Sequence, residues 1–267
     1  MALCALSPGK KEVWKYDGSG TSWTKIGGPA TNLYASDFGL YATEPNTGRL
    51  LGYNGMPFKW EHLGGPGASF AANSLGLYGI SPDKQAVYKW RSGTSWTKIG
   101  GPATNLYGGR GILVATRPPN GDLFYFRGAD KWERIGEPGA SFVVTTDIAP
   151  FVYGLTPDKQ GVWRWDNSGT SWTKIGGPAA NLYGGGWLVA TSPNTGNVYR
   201  FSGKPFEWKY IGGPGASFVV AHSTSQTVYG LSPDKQGVYQ HTGGTSWTKI
   251  GGAADSIFVF EHKFPES

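Results

Sequence analysis

The chain lacks most of what enzymes, disulfide frameworks and membrane proteins need. Cys4 is the single cysteine among 267 residues, so no internal disulfide is possible and the redox compartment stays open. It reads as a small buried hydrophobe. No apolar run approaches a membrane span, which argues against membrane insertion. Residues 1–6 carry no basic stretch and too short an apolar run for a secretory leader. That reading points to the cytoplasm, or to release by a non-classical route. No stretch sustains apolar residues at helical spacing, and the 43 glycines and 18 prolines leave little room for a helical repeat.

Catalytic and metal-binding patterns are also scarce. The four histidines, His62, His222, His241 and His262, form no His-x-x-x-His pair, and no Cys-x-x-Cys or Gly-x-Ser-x-Gly motif exists. Propellers can host glycosidases that use paired acids, so the carboxylates need weighing. The recurrent ones fall in equivalent turns of different units. Those outside the repeat (Asp37, Glu61, Asp122, Asp147) are brought together by nothing in the sequence. The expectation is a protein that is not an enzyme and uses no metal or cofactor. The net charge is +6, but the repeat spreads the lysines instead of clustering them, which argues against nucleic acid as a partner. Charged residues are 16 % and aromatic residues 15 %, a balance that suits a packed chain and excludes a disordered one.

What the chain does have is repetition. Residues 94–107, Thr-Ser-Trp-Thr-Lys-Ile-Gly-Gly-Pro-Ala-Thr-Asn-Leu-Tyr, recur unchanged at 21–34, with one change at 170–183, and shortened at 245–252. A looser cousin at 59–70 recurs at 131–142 and 207–218. The shared anchor is Trp-x-x-(Ile/Leu)-Gly, at Trp23, Trp60, Trp96, Trp132, Trp172, Trp208 and Trp247. The steps between anchors are 37, 36, 36, 40, 36 and 39 residues, so seven units of two alternating types follow one another. Because seven is odd, a closed ring sets two like units side by side, and the pattern must break at that joint.

Each full unit holds four short runs rich in β-branched and aromatic residues, separated by Gly, Pro, Asn and Asp. Residues 105–107, 112–115, 123–126 and 132–135 are one such set. The predicted fold is all-β: a seven-bladed propeller of four-stranded blades, a single domain over residues 1–267. The first unit opens at Ala5-Leu6-Ser7-Pro8 and lacks an inner strand. The chain ends with one that no unit follows, Ser256-Ile257-Phe258-Val259-Phe260. That strand is predicted to complete the first blade and close the ring. The anchor tryptophans suit wedges between blades. Lys25, Lys98, Lys174 and Lys249 suit an outermost strand guarded against edge-to-edge pairing.

Up-and-down strands put the Gly-Gly-Pro connectors on one ring face with the Pro-Asp-Lys turns (Asp83, Asp158, Asp234) and the Pro-Asn turns (Asn46, Asn120, Asn194). Aspartate and asparagine suit turns because they tolerate the left-handed region and bond nearby backbone. The Gly-Gly pairs read as turns of special backbone geometry. Near-equivalent polar grooves between blades would follow, offering Asn32, Asn105 or Asn181 with Tyr34, Tyr107 or Tyr183. Sugars suit such sites, since hydroxyls take the hydrogen bonds and a ring face packs on an aromatic. The same asparagines also suit the start of a strand.

The run Trp172 to Pro178, the run Tyr153 to Pro157 and Gly161-Val162-Trp163 resemble the tectonin or tachylectin-type β-propeller lectins. The likeness recurs in all seven units through short, degenerate motifs, with Gly-Gly-Pro where tectonin repeats have Pro-Gly. Seven-bladed fucose-binding propeller lectins are a second relative. The resemblance implies a multivalent lectin that recognises cell-surface glycans, O-methylated or fucosylated among them, in recognition or defence. It maps carbohydrate binding onto Asn32, Tyr34, Ser69, Asn105, Tyr107, Ser141, Asn181, Tyr183 and Ser217. The seventh unit departs, with Ala253 in place of proline. A propeller scaffold for protein–protein interaction is the alternative class, and self-association stays open.

Overall fold

A computed structural model describes residues 1–145, 150–221 and 227–260; Asp147, His222 and His262 lie outside them. Seven antiparallel sheets of four strands each form the predicted seven-bladed propeller. Blade 1 joins the C-terminal β28 (Ser256–Phe260) to β1 (Ala2–Leu6), β2 (Val13–Tyr16) and β3 (Trp23–Gly27). Blades 2 to 7 follow in chain order, their strands falling within 32–64, 69–100, 105–136, 141–176, 181–212 and 217–251.

Both faces of each blade are buried, which is why the middle strands read as near-continuous apolar runs. Side chains alternate along a strand, so successive residues serve opposite neighbours. In β1, Cys4 and Leu6 pack with Leu33, Leu40 and Tyr53 of blade 2. Leu3 and Ala5 face the other way, onto Leu231, Val238 and Ile250 of blade 7. The remaining joints each carry an apolar cluster built the same way. A single blade therefore has no core of its own, and stability comes from stacking. Cys4 is buried, and that burial pushes its thiol far above the ordinary range.

The repeated letters encode the joints. Every anchor tryptophan donates its indole N–H to a carbonyl of the preceding blade. Trp60 reaches Ile26 at 2.9 Å, Trp96 Leu63 at 2.7 Å, Trp132 Ile99 at 2.7 Å and Trp172 Ile135 at 2.6 Å. Trp208 reaches Ile175 at 3.2 Å, Trp247 Ile211 at 2.8 Å, and Trp23 closes the circle on Ile250 at 2.7 Å. The glycine after each Ile or Leu lies under the incoming indole: a Cβ on Gly64 would sit 2.6 Å from Trp96 Nε1, and one on Gly100 2.8 Å from Trp132 Nε1. Trp-x-x-Ile-Gly thus holds both halves of the joint, a wedge and the socket for the next wedge.

A β-bulge makes the socket carbonyl available. In all seven blades the register slips near the start of the third strand. In blade 1, Val13 faces Gly27 while Trp14 faces Lys25. Ile26 falls outside the ladder, its side chain buried and its carbonyl free for the next blade. The Lys25, Lys98, Lys174 and Lys249 strands are outermost, as predicted.

Ring closure also follows the prediction. β28 pairs with β1 from Ala2↔Phe260 to Leu6↔Ser256. Asp255 N–H adds a bond to Leu6 O at 2.8 Å.

Two expectations about turns change. The Gly-Gly pairs need no special backbone angles: the first glycine clears a tryptophan, and the second (Gly28, Gly101, Gly177) faces open space at an ordinary φ. In the Pro-Asp-Lys turns the left-handed residue is the lysine, at φ 60° for Lys84, 61° for Lys159 and 59° for Lys235. The aspartate instead accepts the turn's hydrogen bonds. Among the Pro-Asn turns, Asn46 takes a left-handed φ of 69°.

Interblade grooves on the connector face

Strand alternation places the Gly-Gly-Pro connectors and the Pro-Asp-Lys turns on one face, where grooves open between neighbouring blades. The groove at joint 5/6 has a volume of about 260 Å³. Its wall is the blade 5 connector, Gly176-Gly177-Pro178-Ala179; Thr191 and Ser192 line its far side; Tyr199 and Trp208 supply the aromatic surface. Joint 4/5 repeats the plan in about 370 Å³, with Glu137 and Pro138 on the connector and Thr156, Trp163 and Trp172 opposite. Joint 7/1 repeats it in about 210 Å³, with Ala253 and Ala254 facing Ser7, Trp14 and Trp23. The second connector glycine now has a role, because a side chain at Gly177 or Gly252 would project at the groove mouth.

The aromatic pair follows from the bulge. One member is the anchor tryptophan, fixed through its indole N–H. The other is the residue just past the bulge on the third strand, Trp14, Trp163 or Tyr199, which the register slip sets opposite Lys25, Lys174 or Tyr210. In blade 1, Trp14 donates to Glu12 at 3.1 Å, and Glu12 also pairs with Lys25 at 2.5 Å. Both bonds hold the Glu12 carboxyl below the ordinary range, the Lys25 contact most strongly.

At joint 3/4 the corresponding pair, Phe124 and Trp132, is covered by the protein itself. The Arg117 guanidinium lies 4.5 Å from the Phe124 ring centroid and 4.9 Å from that of Trp132. Arg117 stands at the strand end where blade 6 has Ser192. Burial pushes it below the ordinary arginine range.

The turns at the groove edges are braced alike. The Ser81, Thr156 and Ser232 hydroxyls donate to Asp83, Asp158 and Asp234 at 2.6 Å, and the Gln85, Gln160 and Gln236 backbone N–H groups add bonds of 3.0 Å. These bonds, the hydroxyl first, hold the three carboxyls below the ordinary range. Lys10, Lys159 and Lys235 reach across to carbonyls of the following connector, Thr31, Ala180 and Asp255, at 2.8, 3.0 and 3.0 Å.

The residues singled out in the sequence lie at or near the starts of the inner strands; only Ser141, Asn181 and Tyr183 belong to joints with a groove described, and none of the nine lines the three grooves. Asn32, Asn105 and Asn181 are exposed; Ser69, Ser141 and Ser217 are half-buried. Tyr34, Tyr107 and Tyr183 pack edge-on against Phe70, Phe142 and Phe218 of the next blade, with centroids 5.4, 5.7 and 5.5 Å apart. Burial raises all three phenols above the ordinary range, opposed in part by the side chains of Asn32, Asn105 and Asn181 and, at Tyr183, by Thr191 as well. Much of each ring face is therefore committed to the joint. Sequence reasoning overlooked the post-bulge aromatics as groove residues, although Gly161-Val162-Trp163 displays one beside its buried valine.

No family model matches the chain, and no curated protein matches it. Solved propellers do match in fold. YCF48 from Cyanidioschyzon merolae aligns with TM-score 0.61 and 11 % identity, over 91 % of this chain and 94 % of that one. The CRINKLY WD40 ectodomain of the Arabidopsis thaliana receptor kinase ACR4 aligns with TM-score 0.59 and 13 % identity, over 97 % and 94 %. A streptogramin B lyase aligns with TM-score 0.56 and 13 % identity, over 84 % and 83 %. This chain spans 63 % of the Physcomitrella patens receptor kinase CR4 ectodomain, which it also matches in fold. At these identities the likeness is one of fold alone.

Proposed function

We propose that the chain is a multivalent carbohydrate-binding propeller that takes glycans in its connector-face grooves and acts without a metal or a catalytic step. The observation that carries this reading is the aromatic pair, Trp163 with Trp172, Tyr199 with Trp208 and Trp14 with Trp23, set into three grooves of like construction. Their volumes, about 210 to 370 Å³, fall at or below the lower end of the roughly 300–1,000 Å³ of drug-sized sites. Such a groove suits one terminal sugar better than an extended oligosaccharide. A C–H face of the sugar packs on the indole, while Ser192, Ser7 and the connector backbone offer hydrogen bonds. Methylated or fucosylated sugars, with a methyl group to bury, are the class that an apolar floor with a polar rim favours.

Repetition gives weak sites their effect. A millimolar site contributes about −4 kcal/mol, and linking several on one rigid body raises avidity by about 10²–10⁴. A glycan array that includes methylated and fucosylated sugars tests the reading. Saccharide-inhibited binding, weakened in Trp163→Ala and Trp14→Ala, is expected; a blank array from folded protein would contradict it. A scaffold for protein partners is the second reading, and Phe58 and Phe206 favour it. They sit on matching hairpins of blades 2 and 6, 60 % and 63 % exposed. Retention of a protein partner by wild type but not by a Phe58→Ser, Phe206→Ser double variant, together with a blank array, would establish it.

A further inference from the structure

The opposite ring face carries a second kind of pocket, and at joint 5/6 its chemistry is distinct. A cavity of about 190 Å³ there is lined by Arg164 and Thr145 of blade 5 and by Trp187, Arg200 and Ser202 of blade 6. The Arg200 guanidinium lies over Trp187, its Cζ 3.8 Å from the ring centroid, and that of Arg164 lies over Phe151 at 5.2 Å. Both Nε–H groups are buried without a hydrogen-bond partner, and so is the hydroxyl of Thr145, a residue only 2 % exposed. No carboxylate is among the described residues that line the cavity.

Two cations and three unsatisfied polar groups around one cavity are costly as they stand, since a buried donor without a partner loses its hydration and gains no bond in return. An anion repays that cost. The arrangement is also specific to this joint. Arg164 and Arg200 are the second residue past the bulge of their third strands, where other blades have Lys15, Gly52, Lys89, Tyr125 and Gln240. Joint 5/6 alone sets two cations against each other at this position. The equivalent pocket at joint 7/1 pairs Gln240 with Lys15 and already contains Asp17.

We propose that the joint 5/6 cavity is a binding site for a carboxylate, separate from the connector-face grooves and independent of their sugar reading. The rings beside them place both guanidinium groups at the cavity, and a guanidinium is a planar fork that matches a planar carboxylate through two parallel N–H···O bonds. The Thr145 hydroxyl supplies a third donor. The carboxylate could belong to an acidic sugar or to a small free acid, and the probes separate the two.

Titration of the folded chain with glucuronate, N-acetylneuraminate, acetate and sulfate, followed by calorimetry and indole fluorescence, tests the site, with methyl glucoside as the uncharged control. Saturable carboxylate binding is expected, weakened about tenfold or more in Arg164→Gln and Arg200→Gln. Glucuronate or neuraminate ahead of acetate identifies an acidic sugar; equal binding of acetate identifies the bare carboxylate. Arg200→Lys keeps the charge without the fork, so a folded Arg200→Lys protein that has lost binding supports the forked contact even if a glutamine variant melts early. No saturable carboxylate binding by wild type, preference for tetrahedral sulfate, or binding retained by both glutamine variants would overturn the proposal.

Discussion

Joints 3/4 and 5/6 are built from nearly the same letters and present different surfaces. Both have the connector Gly-Gly-Pro-Ala, at 100–103 and 176–179, and both receive an anchor tryptophan on the preceding carbonyl, Trp132 on Ile99 at 2.7 Å and Trp208 on Ile175 at 3.2 Å. One residue separates their outcomes. Arg117 lies over its aromatic pair, whereas Ser192 leaves Tyr199 and Trp208 facing a groove. The repeat therefore specifies how blades join, and single departures from it specify which aromatic pairs stay open and which are covered. A search for function in the most repeated letters finds the architecture first.

The largest expected effect removes the comparison altogether. Deleting residues 256–267 takes away the inner strand of blade 1, so both joints should lose their support and cooperative thermal unfolding should vanish. Next, Trp132→Ala and Trp208→Ala should each cost about 3–5 kcal/mol in chemical denaturation, because both are interblade wedges. Only the Trp208 change should also reduce glycan binding. A smaller, purely local effect is expected from Ser192→Arg, which should cover the joint 5/6 groove as Arg117 covers joint 3/4. Binding at that groove should fall with the melting temperature nearly unchanged.

The smallest effect concerns the turns that frame the two joints, and it appears only in acid. Asp83 and Asp158 have carboxyls lowered chiefly by the Ser81 and Thr156 hydroxyls. A lowered folded-state value stabilises the fold above the unfolded value and loses that contribution as pH falls through the folded one. Asp83→Asn and Asp158→Asn should therefore narrow the difference between neutral and acid melting temperatures, most visibly below about pH 4. The first blade is a built-in control, since Pro8-Gly9-Lys10 makes the same reach to the connector at Thr31 without an aspartate.

Much of the architecture was legible because it is periodic. The anchor spacing counts the blades, and the surplus strand at 256–260 with the missing one before Ala5 announces how the ring closes. The bulge was not legible, since Val-Trp and Ile-Gly look alike whether or not the register slips between them. With the bulge hidden, the post-bulge aromatics could not be placed at a groove, and attention fell on Tyr34, Tyr107 and Tyr183, whose rings pack on the next blade. Arg117 and the Arg164–Arg200 pair were invisible for a different reason. Each is a single letter in an otherwise ordinary strand, and its meaning depends on what the neighbouring blade sets beside it.

The most direct test of the account is the saturation stoichiometry of the best array hit, measured by calorimetry for wild type and for Arg117→Ser. If open aromatic pairs in interblade grooves are the sites, uncovering Phe124 and Trp132 should add one bound saccharide per chain with the fold intact. An unchanged stoichiometry in a folded Arg117→Ser protein would contradict the assignment of these grooves.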